Sequence, residues 1–127
     1  MGFKTKFDAS FISLSDNIML DAPLIYEWRK RIFVINAGFI SDGASIPKLL
    51  WPLLGHPFDW RWRRESVLHD FFYRTQPHGV RRKDADKIFR KEIRARGLSW
   101  ARAWGMYAGL RAGGWVTWRK HKNNQGV

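Results

Sequence analysis

Leu68-His69-Asp70-Phe71-Phe72-Tyr73-Arg74 and, further along, Asp86-Lys87-Ile88-Phe89 are the stretches whose reading decides the fold. From Arg61 to Arg74 the apolar residues Val67, Leu68, Phe71 and Phe72 recur at helical spacing, and Gln76-Pro77-His78-Gly79 stops the run. A second helix is predicted from about Lys83 to Arg96, with Ala85, Ile88, Phe89 and Ile93 on its buried side and Gly97 as its stop. Asp86 falls on that same side. An inward carboxylate left unpaired costs several kcal/mol, so the two helices are expected to pack antiparallel, with Asp86 accepting from His69 and Tyr73 donating to a carboxylate.

Working outward, Ser99 is a cap for a third helix whose apolar side is Trp100, Trp104, Tyr107 and Leu110. Ala101, Gly105, Gly109 and Gly113 recur every four residues on another stripe. Each glycine costs roughly 1 kcal/mol against alanine, so close packing on a neighbouring helix is the expected compensation. The basic tail from Arg119 to Val127 is expected to fray. Towards the N-terminus, Asn17–Leu20 reads as a short strand. Leu24–Trp28 and Arg31–Ile35 read as a hairpin closed by Arg29-Lys30, a pair with poor chemistry for a primed turn. Residues 37–47 read as an ordered loop that leads into a short helix, Lys48–Leu54, and Asp59 is a plausible cap for the helix that follows. The expected class is α+β: an antiparallel β hairpin or small sheet, then a three-helix C-terminal half, in one domain over 1–127. Residues 1–47 would be mainly strand and loop, and 48–122 mainly helix.

The chain of 127 residues is 45% hydrophobic, enough for a core without staples. It has no cysteine, which excludes disulfides and thiolate metal sites and fits a reducing compartment. No stretch approaches the roughly 18 apolar residues of a spanning helix, and the opening residues Met1–Lys6 lead us to expect no signal peptide. The net charge is +12, and its placement is informative. Residues 1–60 carry equal numbers of acidic and basic side chains, so the whole excess lies in 61–127. Such a one-sided field attracts phosphate, whether of lipid head groups or of nucleic acid. Arg61, Arg63, Arg64, Arg81, Arg82, Lys83, Arg119 and Lys120 are the candidate residues for an anionic partner. Trp60 and Trp62 beside the first of these, and Trp115 and Trp118 beside the last, could stack bases or sit at a lipid interface.

His69 and Tyr73 share one helix face, and Asp70 and Arg74 the adjacent one. An imidazole oriented by a carboxylate is what a general base needs, because the carboxylate fixes the tautomer and stabilises the cation formed. The same groups would equally serve as a buried network holding two helices in register.

The run H-D-F-F-Y-R at 69–74 with D-K-I-F at 86–89 resembles the paired catalytic helices of calcium-dependent phospholipases of the A-two type, especially the small prokaryotic ones. That resemblance implies His69 as the base, Asp70 as a calcium ligand, Asp86 as the orienting group and Tyr73 as a supporting donor. The family's disulfides and glycine-rich calcium loop have no counterpart here, and Asp42 or Asp59 would have to supply further calcium ligands. A broader resemblance spans most of the chain. The order G-F-I-S-D-G-A-S-I-P at 38–47, L-H-D-F-F-Y-R, A-D-K-I-F and a late G-G-W is similar to a family of small phage and prophage proteins of unknown function. It implies a viral origin, with the protein in the infected host's cytoplasm or in the virion. Ser41, Gly43 and Ser45 belong to the loop expected near the site, although G-A-S-I-P lacks the elbow of a nucleophilic serine.

Three functions follow as expectations. The first is a virion or accessory protein docking on a phage or host partner. The second is a calcium-assisted ester hydrolase acting at a membrane, and the third a non-specific nucleic-acid binder. No motif supports sequence-specific DNA recognition.

Overall fold

In a computed structural model the described residues are 2–11, 18–41 and 63–125. Of the expected loop 37–47, Ile40 and Ser41 instead pair as a short strand with Met19 and Ile18, and the rest from Asp42 to Pro47, with the helix Lys48–Leu54, the Asp59 cap and the residues Gly43, Ser45, Trp60, Arg61 and Trp62, lies outside the described residues. The chain divides into two compact units, Met1–Asp42 and Gly43–Val127.

The first unit holds two three-stranded antiparallel sheets. Strands β1 (Gly2–Phe3), β4 (Leu24–Trp28) and β5 (Arg31–Ile35) form one, in that order. Strands β2 (Ala9–Phe11), β3 (Ile18–Leu20) and β6 (Ile40–Ser41) form the other. The period-two pattern of β4 buries Leu24, Tyr26 and Trp28, and two of them oppose buried partners on β5, Leu24 facing Ile35 and Tyr26 facing Phe33. Phe3 meets Tyr26 edge-on at 4.8 Å, in keeping with their paired register. The hairpin closes at Arg29-Lys30 as expected, and both residues take left-handed backbone angles, φ 50° and 63°. Side chains that rarely adopt this conformation do so here with the Arg29 guanidinium 4.5 Å above the Trp28 ring.

The second unit contains four described helices: α1 (Arg63–Thr75), α2 (Arg82–Ala95), α3 (Trp100–Gly113) and α4 (Trp115–Gln125). Helix α1 ends where Gln76 turns left-handed at φ 44°, before Pro77. Asp84 opens α2 by accepting from the Arg81 backbone N–H at 3.0 Å. Gly97, at φ 113°, ends it, and the Leu98 N–H returns to the Ile93 carbonyl at 3.1 Å. Ser99 caps α3 by accepting from the Arg102 N–H at 3.3 Å. Phe89, Ile93, Leu98, Ala103, Met106 and Leu110 make one buried cluster between α2 and α3.

The α+β class is thus correct, and the helical half is longer than expected. Residues 119–125, read as a fraying tail, continue in α4, because Gly114 turns the chain and Trp118 finds an edge-on seat against Tyr73 at 5.2 Å. Two further expectations are corrected on α3. Its buried side is Ala103, Met106 and Leu110, whereas Trp100 and Trp104 are 64% and 42% exposed. Gly105, Gly109 and Gly113 are half-buried and Ala101 exposed, so the small-residue stripe is not the buried seam. The glycine that close approach does require is the next one, Gly114. A Cβ built there falls on the Tyr73 hydroxyl and lies 2.6 Å from the Leu110 carbonyl oxygen. No helix among the described residues is long and apolar enough to cross a membrane.

Candidate functional site

Asp86, with no exposed surface, is the hub of the second unit. Its Oδ1 lies 2.8 Å from His69 Nε2 and accepts from the Tyr73 hydroxyl at 2.6 Å. Its Oδ2 accepts from Arg111 Nη1 at 3.1 Å and has Arg82 Nη1 at 3.5 Å. Helical spacing explains the convergence: His69 and Tyr73 stand one turn apart on α1, and Arg82 stands one turn before Asp86 on α2. Arg111 arrives from the last turn of α3. Arg82 also donates to the Leu110 carbonyl at 2.8 Å and the Arg111 carbonyl at 3.1 Å, covering the open end of α3.

Burial pushes the Asp86 carboxyl up, but the hydrogen bonds it accepts from His69, Tyr73 and Arg111 outweigh it and hold the group below the usual carboxylate range. Tyr73 moves the other way: burial first, then the Asp86 charge, keeps its hydroxyl protonated far above neutral pH. An ionised carboxylate only accepts. The proton shared with His69 therefore sits on Nε2, and a neutral ring then carries its lone pair on Nδ1. That nitrogen is buried and has no hydrogen-bond partner among the described residues. The ring itself lies between Tyr73, at 4.3 Å between centroids, and Phe89, at 5.2 Å.

Around this hub the sequence-predicted residues separate. Asp70 is buried and its Oδ1 accepts from Arg74 Nε at 3.1 Å, an ion pair one helical turn long. Among the described residues no group of three or more histidines and carboxylates could hold a metal ion. The other two candidate calcium ligands, Asp42 and Asp59, lie outside the described residues. Ser41 is buried in the first unit. Of the basic candidates, Arg82 is spent on Asp86 and the α3 carbonyls, Arg64 pairs with Glu65 at 3.2 Å and Arg81 with Asp84 at 3.1 Å. Arg63 is half-buried, whereas Lys83, Arg119 and Lys120 are exposed.

The sequence reading did not find Arg82 and Arg111 as partners of Asp86, nor the burial of Glu65. An arginine one turn from an inward aspartate is a signal for the first. Arg111 carried no comparable signal, since its contact depends on how α3 packs. Glu65 is buried with Arg64 at 3.2 Å and Arg96 at 3.4 Å, and burial pushes its carboxyl up more than those cations pull it down.

Comparison with known proteins places these elements in context. Residues 18–110 match a family described as "Protein of unknown function (DUF1353)". Over 94 residues, 74% of this chain, the sequence is 32% identical to an uncharacterized protein, y4jT, of Sinorhizobium fredii. The matched stretch is 26% of that protein, so the chain spans about a quarter of its relative's length. No solved structure matches.

Proposed function

The chain belongs to the protein family of unknown function DUF1353, and on that premise we propose that it is an ester hydrolase with His69 as general base. The observation that carries this reading is the 2.8 Å His69–Asp86 contact, with Asp86 anchored in turn by Tyr73 and Arg111. Asp86 holds the Nε2 proton and leaves Nδ1, buried in the resting fold, to take a proton from a water admitted beside it as that water's oxygen attacks the ester carbonyl. The carboxylate stabilises the imidazolium so formed, which returns the proton to the departing alkoxide. Tyr73 stays a donor throughout, and Arg82 and Arg111 keep Asp86 ionised.

The net charge of +12 favours an anionic phospholipid as the ester. A phage or prophage origin, and action in the infected host or the virion, belong to the same proposal and rest on the motif order of the sequence.

The test uses phosphatidylglycerol vesicles with a fluorogenic acyl chain and a soluble nitrophenyl ester, each with and without calcium. Wild type is expected to release product, and His69→Gln to lose about a hundredfold or more in rate while keeping its circular dichroism. Absence of hydrolysis by wild type on either substrate, or equal rates for the two proteins, overturns the proposal. In that outcome, a lower melting temperature for His69→Gln identifies the network as a fastening between α1 and α2.

A further inference from the structure

Helices α2 and α3 leave an open groove of about 400 Å³ on the protein surface, lined by Arg90, Lys91, Arg94, Ala95, Ala103 and Trp104. Three of those six residues are cations and one is an indole. The Arg90 guanidinium lies 4.0 Å above the Trp104 ring and 4.6 Å above Tyr107, and Trp104 meets Tyr107 edge-on at 5.6 Å. Trp104 is therefore held in place by its neighbours while 42% of it stays exposed. Trp100 stands one helical turn away, with its ring centroid 6.1 Å from that of Trp104.

Along α2 the groove continues a row of cations. Lys83, Lys87, Arg90 with Lys91, and Arg94 follow at steps of three or four residues, which is about 4.5–6 Å of axial rise per step. Among the described residues no ion pair engages Lys83, Lys87, Arg90 or Lys91, and Arg94 donates to a carbonyl, that of Leu98 at 3.2 Å. The row repels itself: the charge of Lys83 is the largest of the influences that lower the pKa of Lys87. A surface of this kind is most stable with an anion laid along it.

We propose that this row and groove bind single-stranded nucleic acid, with phosphates following Lys83, Lys87, Lys91 and Arg94 and bases stacking on Trp104 and Trp100. Fixed indoles beside a cationic track are the two elements that sequence-independent single-strand binding needs, because every base has a π-face and every nucleotide a charge. A duplex keeps its base faces stacked inside and offers the indoles nothing. A lipid surface calls for rings projecting beyond their cations, whereas Arg90 lies across the Trp104 face and the ring forms a groove wall. The site is independent of the hydrolase reading, since it uses none of the groups around Asp86.

Fluorescence anisotropy with a labelled oligothymidylate of about sixteen nucleotides, titrated with the whole chain at several salt concentrations, tests the proposal. Engagement of three or four phosphates gives a log–log salt slope of about −2 to −3. Trp104→Ala is expected to weaken binding about tenfold or more, with Trp104→Phe recovering part of the loss. Lys91→Glu, at an exposed position that takes part in no fold contact described above, is expected to weaken binding and flatten the slope while the melting temperature does not fall. Equal affinity for wild type, Trp104→Ala and Lys91→Glu overturns the proposal. So does a salt-independent signal, preference for duplex over single strand, or binding to phosphatidylglycerol vesicles but not to the oligonucleotide.

Discussion

Replacing Gly114 by alanine should destabilise the protein, against the direction that backbone preference alone gives. Gly114 has ordinary right-handed angles, φ −68° and ψ −18°, so alanine can adopt its conformation. In a helix the change would be worth about 1 kcal/mol in favour of alanine. Space reverses the sign. The added methyl lands on the Tyr73 hydroxyl, sits 2.6 Å from the Leu110 carbonyl oxygen and 3.1 Å from Arg82 Nη1. Backbone and a buried ring give way poorly, and overpacking of this kind costs about 1–3 kcal/mol. Moving Tyr73 also lengthens its 2.6 Å bond to the Asp86 carboxylate, a hydrogen bond to a charged group worth about 1.5–3 kcal/mol. Setting the gain against both costs leaves a net loss of about 1.5–5 kcal/mol. Urea unfolding followed by tryptophan fluorescence measures it directly, and Tyr73→Phe supplies the control. With the hydroxyl gone, Gly114→Ala should cost less by about 1–2 kcal/mol, the coupling expected of residues in contact. A Gly114→Ala protein as stable as wild type, or a cost that is the same in both backgrounds, would refute the packing of α4 against α1 described here.

Three further outcomes follow. Asp86→Asn should cost about 3–5 kcal/mol near neutral pH, because it takes the buried carboxylate away from the half-buried Arg82 and Arg111. The folded pKa of Asp86 is lowered, so its contribution is complete above the unfolded value near 3.9 and is lost as pH falls through the folded value; the gap between the two proteins in urea midpoint should narrow in acid. Glu65→Gln should run the other way. Its folded pKa is raised, so wild type loses stability as pH rises from the unfolded value of about 4.3 through the folded one, and the variant should gain on wild type across that window in a series of thermal melts. Arg82→Met removes the donors to the Leu110 and Arg111 carbonyls at 2.8 and 3.1 Å and should lower the melting temperature while leaving helix content by circular dichroism nearly unchanged.

How far the sequence alone could reach depended on whether a residue's partner was local. The hairpin was readable because two apolar runs, Leu24–Trp28 and Arg31–Ile35, flank a two-residue pair, Arg29-Lys30, that closes them. Ser99, Gly97 and the helix stops were readable because caps act within a turn. The His69–Tyr73–Asp86 contact followed from one argument, that an inward carboxylate needs donors. Periodicity failed on α3, where Trp100 and Trp104 outweigh Met106 in any hydrophobic count yet face outward. The side of a helix that is buried is set by what packs on it, and α2 takes up Ala103, Met106 and Leu110. Helix α4 was missed for the same reason: its composition is that of a tail, and its support is Trp118 on Tyr73 with the Gln76 side chain donating to the Trp118 carbonyl at 2.7 Å.

A general-base role for His69 needs its Nε2 proton held by Asp86, 2.8 Å away, and its Nδ1 lone pair left to act. Long-range proton–nitrogen NMR of the imidazole, at pH 7 on the uniformly labelled chain, reads that state nitrogen by nitrogen. Wild type is expected to show a protonated Nε2 and an unprotonated Nδ1, with the preference weakened in Asp86→Asn. A proton on Nδ1 in wild type, with Nε2 bare or also protonated, would contradict that role.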